Sequence, residues 1–239
     1  MPTALVIDGA YFLRRFKWSF PNLDSTGPAQ VAFAVGWMAY WHLHLRMRPK
    51  LMERAADHAN YEPAEDSELY RIFFYDCPPL TKKLHRPVSK AAIDLSKTTE
   101  AKFRIAVHEE LQKVRKVALR LGRLNDDSEW RIRPSSAKRL LQPDYPPLTD
   151  DDFEIDTKQK GVDMKLGLDV ASMAFKGQVN QIVLVAGDAD FVPATKLARR
   201  EGIDVVLDPM GGTPAKDLLQ HVDGVRSCRM SQPQEPVRP

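Results

Sequence analysis

The chain has 239 residues, 43% of them hydrophobic, with a formal charge of +3. That is enough to bury a full core as one domain, with room for an inserted subdomain. Two cysteines, Cys77 and Cys228, exclude a disulfide framework or a thiolate zinc site, and the longest apolar run, Val31 to Trp41, is too short to span a bilayer.

Taken in chain order, the predicted elements alternate strand and helix, which points to an α/β fold with a mainly parallel sheet and helices on both faces. A first strand, Ala4–Ile7, ends in Asp8-Gly9 and is too short and too soon charged to be a signal peptide, so a cytoplasmic protein is expected. Pro28 marks a helix start. Gln30–Arg46 then form an unusually apolar helix carrying Trp37, Tyr40 and Trp41, either central packing or the contact of a homodimer. Residues 50–68 are charged and read as an exposed connection. A second strand, Tyr70–Tyr75, is stopped by Cys77-Pro78-Pro79.

From Ser89 to Leu121 the periodicity predicts a long helix. Ile105, Leu111, Val114, Val117 and Leu121 recur at helical steps, Lys113, Lys116 and Arg120 lie between them, and Gly122 would cap the end. Short strands are expected over Trp130–Arg133 and around Phe153–Ile155, followed by a helix from Asp163 to Phe175. The run Ile182–Val185 reads as a strand buried on both faces. A helix Phe191–Arg200, a strand Ile203–Leu207, a helix from Pro214 to His221 and an edge strand Val225–Met230 complete the pattern. Residues 1–230 therefore read as one domain with an inserted basic helical region over about 81–150, and 231–239 as a disordered tail.

Charge is unevenly spread. Thr81–Leu140 holds sixteen Lys and Arg against seven Asp and Glu, whereas Leu141–Asp190 holds four against ten. A basic surface beside an acidic centre suits a metal-dependent enzyme acting on a polyanion.

The acids carry the chemistry. Ligands of an open parallel sheet bind at the carboxyl ends of its strands. Asp8 ends the first strand, and Asp188 and Asp190 follow the strand Ile182–Val185. Asp163 opens a helix whose dipole favours its charge. Four aspartates on one edge suit a hard cation, Mg²⁺ or Mn²⁺. Asp169 lies about 120° around the helix from Asp163 and reads as structural or as support for a ligand.

Three stretches carry a resemblance: Ile7-Asp8-Gly9-Ala10-Tyr11, Lys160-Gly161-Val162-Asp163 with Asp169 six residues on, and Val185 to Pro193 (VAGDADFVP). They look like the NYN domain family and, within it, the LabA-like branch, grouped with PIN-like and FLAP-type nucleases. The resemblance implies a PIN-like α/β/α sandwich and metal-dependent cleavage of RNA. It also implies ligand roles for Asp8, Asp163, Asp188 and Asp190. The family commonly carries Asn where Tyr11 stands.

The expected reaction is phosphodiester hydrolysis assisted by one or two metal ions. Lys160 is a candidate for the phosphate, and Lys113, Lys116 and Arg120, with Arg131 and Arg133, are candidates for backbone contacts. Single-stranded RNA is favoured because Tyr11, Phe12 and Trp18 offer stacking surfaces. A haloacid dehalogenase-type phosphatase is disfavoured, since its second Asp would stand at Ala10. The alternative is a PIN-like module that binds nucleic acid or protein without catalysis.

Overall fold

Ala4–Ile7 and Ile182–Val185 are buried at every position, as strands covered on both faces must be. The computed structural model describes residues 2–45, 68–124, 129–142, 144, 147–157 and 159–230. Strand β1 (Pro2–Asp8) leads through α1 (Gly9–Ser19) and α2 (Pro28–Leu45) to β2 (Glu68–Asp76). A hairpin of β3 (Lys83–His85) and β4 (Ala92–Asp94) follows, then α3 (Thr99–Lys113) and β5 (Val117–Leu121). Next come β6 (Arg123–Leu124), β7 (Trp130–Ile132), α4 (Pro134–Arg139), β8 (Phe153–Ile155) and β9 (Gln159–Lys160). In this arm β6 pairs with β9 and β7 with β8, both antiparallel. The chain closes with α5 (Val162–Phe175), β10 (Gln181–Val185), α6 (Val192–Arg200), β11 (Asp204–Asp208), α7 (Lys216–Gln220) and β12 (Gly224–Val225).

Six strands form one all-parallel sheet in the order β12-β11-β10-β1-β2-β5. Alternation along each strand divides the core. Leu5, Ile7, Phe74, Val183 and Val185 face α1, α2 and α3, whereas Ala4, Val6, Phe73, Ile182 and Leu184 face α5, α6 and α7. The result is the expected three-layer α/β/α sandwich. β1 lies between β2, which follows it in the chain, and β10, which comes far later. The crevice beyond the carboxyl ends of β1 and β10 is therefore the topological switch point of the sheet.

Several boundaries differ from those expected. The predicted helix Ser89–Leu121 is α3 alone, and Val117–Leu121 is a strand lying beside Ile72–Asp76. Lys116 adopts a left-handed backbone (φ 65°) that ends the helical path, and the edge of β2 supplies the pairing partners. Lys116 and Arg120 are consequently not on a helix. Gly122 is no helix cap either. A Cβ there would stand 2.7 Å from Val162 Cγ2, 2.9 Å from the Lys160 carbonyl and 3.0 Å from the Cys77 sulfur, so three segments close on it. Gly9–Ser19, not expected from sequence, is helical, and the last strand shrinks to Gly224–Val225.

The apolar α2 lays Val31, Ala34, Val35 and Met38 on the sheet and leaves Phe33 and Tyr40 exposed, so central packing accounts for most of its hydrophobicity. Both cysteines are free and buried. The charged stretch 50–68, apart from Glu68, and the tail from Ser231 lie outside the described residues. Among the described residues no helix is long and apolar enough to cross a membrane.

Candidate active site

Asp8 is the last residue of β1 and the N-cap of α1, accepting from the Tyr11 backbone N–H at 3.1 Å. Asp188 follows β10, the neighbouring strand, and caps a short 3₁₀ turn, Ala189–Phe191, that also carries Asp190. Asp163 sits in the first turn of α5. Asp8 is half-buried, and the other three are exposed.

These four carboxylates sense one another. Partial desolvation at the head of α5 raises the Asp163 carboxyl above the ordinary range although the side chain reaches solvent, and the charges of Asp190 and then Asp188 push it the same way. Asp8 is raised as well. Burial is the main cause, the Tyr11 N–H, Arg14 and the Ala10 N–H oppose it, and the charge of Asp163 adds to it. The topology thus directs acids from β1, β10 and α5 toward the switch-point crevice. Their donors are all carboxylate oxygens, which suits a hard divalent cation. As they are placed, no group of three or more His, Cys, Asp or Glu among the described residues is gathered tightly enough to hold a metal ion.

Two further acids occupy strand ends on the same edge and were not expected from sequence. Asp76, at the end of β2, is buried and held by Arg104 Nη1 at 2.5 Å and His108 Nε2 at 2.8 Å. Burial alone would raise its carboxyl, but these partners hold it below the usual range. Asp208, at the end of β11, is buried against His42 Nε2 at 2.8 Å and accepts from the backbone N–H of Met210 and Cys228. Each shows the signal that singled out Asp8, an acid closing an apolar strand. What separates the two sets is partnership. Asp76 and Asp208 are clamped by cationic or imidazole side chains, while Asp163, Asp188 and Asp190 make no ion pair with a described residue.

Tyr11 is fixed rather than open. Its hydroxyl donates to the Pro209 carbonyl at 2.7 Å, and its ring lies where any Cβ at Gly187 would stand, 2.4 Å from Cε2. Arg14 approaches the same ring at 5.9 Å, and Arg15 donates to the Met210 carbonyl. Arg14 and Arg15 are site neighbours that recognising α1 would have revealed. Phe12 is fully buried among Phe16, Phe20 and Phe74 and offers no stacking surface. Trp18 is half-buried, with Arg229 over its ring.

The basic candidates do not converge on the acids. Lys113 ends α3 and pairs with Glu110, and Lys116 precedes β5 and bonds the Leu69 carbonyl near the start of β2. In a parallel sheet both lie at the edge opposite Asp8. Arg120 donates to Asp169 at 2.9 Å and lies over Phe73, while the Tyr75 hydroxyl donates to the same Asp169 oxygen at 2.8 Å. Asp169 thus belongs to a packing network, as its angular offset implies. Lys160 alone of this set is exposed close to Asp163 in sequence, on the β9 strand. Arg131 is occupied by Glu154 and Asp156.

Residues 127–225 match the NYN domain model. The match covers less than half of the chain and includes Asp163, Asp188 and Asp190, but not Asp8. No curated protein matches the chain. Among solved structures, a protein of unknown function from Vibrio parahaemolyticus RIMD 2210633 (VPA0982) is similar at 13% identity, covering 95% of this chain and 91% of its own, with a TM-score of 0.44.

Proposed function

We propose that the chain is a metal-dependent nuclease that hydrolyses RNA through Asp8, Asp163, Asp188 and Asp190. The observation that carries this reading is the contrast between two sets of acids on one sheet edge. Asp76 and Asp208 are clamped by partner side chains, whereas Asp163 is raised by burial and then by the charges of Asp190 and Asp188, and Asp8 chiefly by burial with a small push from Asp163. Carboxylates gathered at the ligand edge of a parallel sheet, partly desolvated and close enough to repel one another, are what a divalent cation relieves. The NYN domain match, in a family resembling PIN-like nucleases, supports the same chemistry.

A bound Mg²⁺ or Mn²⁺ supplies Lewis-acid activation of water and of the phosphate. Asp8 and Asp188, at the ends of neighbouring strands, would hold it together with Asp163 from the head of α5. The Tyr11 and Ala10 N–H groups orient the Asp8 carboxylate for that role. Asp163, Asp188 and Asp190 are exposed, so their side chains have room to turn toward a cation. Asp190 serves as a ligand or accepts the proton of the attacking water. Lys160 meets the substrate phosphate. Without a cation the acids repel the RNA backbone, which makes substrate binding and metal loading interdependent.

A second reading is a non-catalytic nucleic-acid-binding module. The observation that favours it is Tyr11, whose hydroxyl is bonded to Pro209 where the family commonly offers an amide. Incubating end-labelled single-stranded RNA with Mn²⁺, Mg²⁺ or EDTA decides between them. Metal-dependent cutting by the wild type that disappears in Asp188→Asn is the result expected of the nuclease. RNA binding without cutting on several substrates is the result expected of the module.

A further inference from the structure

A cavity of about 460 Å³ opens between the β7–β8 arm and the carboxyl end of β2, within the roughly 300–1,000 Å³ typical of small-ligand pockets. It is not the crevice of the acids, but it adjoins it. Cys77, one of its walls, meets Val162 and the Lys160 carbonyl around Gly122, and Val162 is the residue before Asp163. Through Cys77 and Val162 the cavity wall is continuous with the start of α5, whose first turn carries Asp163.

The lining combines three kinds of group. Trp130 and Phe153 supply aromatic surface. The Trp130 indole N–H donates to the His85 carbonyl at 2.9 Å, so the ring is held in place. Arg86 and Arg133 supply guanidinium groups, and Arg133 Nε donates to the Phe153 carbonyl at 3.2 Å, with no ion pair to a described residue. Of the carboxylates in the lining, Glu154 pairs with Arg131 and Asp150 accepts from the Val88 and Ser89 N–H groups, while Asp151 and Glu100, the latter in the first turn of α3, are exposed and supply acceptors. Arginine and carboxylate together do not suit a simple anion or a simple cation. They suit a neutral ring that presents hydrogen-bond acceptors on one edge and donors on another, stacked on an aromatic face.

Guanine is the nucleobase with that pattern. Its O6 and N7 accept from a guanidinium, and its N1–H and N2–H₂ donate to a carboxylate. We infer that this cavity takes an unstacked guanine of the RNA strand beside the scissile phosphate, with Arg133 or Arg86 on its acceptor edge and Glu100 on its donor edge. The inference rests on the ribonuclease reading for its substrate and goes beyond it in assigning a base-reading site. Adenine offers no acceptor at position 6, and the pyrimidines present less surface to Trp130 and Phe153.

The test uses the full-length protein in two assays. Isothermal titration with GMP, AMP, CMP and UMP in EDTA measures the cavity without the metal. GMP is expected to bind at least tenfold more tightly than the others, with Glu100→Gln and Arg133→Ala each weakening it about tenfold. Trp130→Phe, which keeps a ring, should weaken GMP less than Trp130→Ala. Mapping cuts on a mixed-sequence RNA should place them beside guanosine in the wild type and disperse them in Glu100→Gln. Asp188→Asn should stop cutting yet bind GMP normally. Equal binding of all four nucleotides, or GMP affinity unmoved by Glu100→Gln, overturns the site. GMP binding with no RNA cleaved upholds the site and sinks the nuclease; cleavage without base preference or GMP binding does the reverse.

Discussion

The hydroxyl of Tyr11 donates to the carbonyl of Pro209 across 2.7 Å, tying the first turn of α1 to the loop that follows β11. The same loop is held from below by Asp208, which accepts from the Met210 N–H at 2.7 Å and faces His42. Tyr11 in turn donates its backbone N–H to Asp8. A chain of contacts therefore runs from the buried Asp208 to a candidate ligand, and Tyr11 acts in it as a strut.

Tyr11→Phe should keep the ring against Gly187 and lose only the bond to Pro209, costing about 1 kcal/mol of stability. Gly187→Ala is the harsher change, because its Cβ would meet the Tyr11 ring at 2.4 Å. Overpacking of this kind costs about 1–3 kcal/mol. It also displaces the backbone before Asp188, so cleavage should fall more steeply than urea-measured stability. A Gly187→Ala protein with wild-type stability and cleavage would show that the contact is not tight.

Asp76→Ala should be the most destabilising of the acid substitutions. It leaves Arg104 and His108 without their buried counter-charge, a loss of about 3–5 kcal/mol. Denaturant unfolding checks this, with Asp188→Ala near zero as the comparison.

Asp163→Asn should do the opposite for the metal-free protein. Removing the charge that burial, Asp190 and Asp188 oppose outweighs the loss of its favourable place at the head of α5, for a net gain of about 0.5 kcal/mol, the scale of a solvent-screened surface pair. The same substitution should lower Mn²⁺ affinity. A melting midpoint in EDTA that drops in Asp163→Asn would contradict the repulsion on which the site rests.

The two sets of acids predict opposite pH dependences. Asp76 is held below the usual range, so its contribution is present above its unfolded pKa of about 3.9 and is lost as pH falls through its lower folded value. Asp8 and Asp163 are raised, so the folded metal-free protein binds their protons first and gains stability as pH falls toward about 3.9. Melting curves of Asp76→Asn and Asp163→Asn across that range separate the terms. Each variant should flatten one limb of the wild-type profile and leave the other.

Much of this arrangement was legible in the residues. The runs Ala4–Ile7 and Ile182–Val185 are apolar at every step, which only a sheet covered on both faces accommodates, and their closing acids mark its ligand edge. The strand Val117–Leu121 was not legible, because its apolar residues continue the helical spacing of α3 and only pairing with β2 decides between the two. Position after a strand selects Asp8 but does not distinguish it from Asp76 or Asp208, since the partners that hold those two, Arg104, His108 and His42, come from helices distant in sequence. Local charge density points to Lys113 and Lys116 as substrate contacts, yet the direction of β5 carries them to the far edge.

The most direct measurement follows bound Mn²⁺ and RNA cleavage in the same samples, by electron paramagnetic resonance and by product release, for wild type, Asp188→Asn and Asp163→Asn. The nuclease account predicts that cleavage rises with the bound Mn²⁺ signal in the wild type and that both are lost or strongly weakened in the variants. Cleavage that persists in EDTA, or Mn²⁺ binding that neither substitution changes, would contradict it.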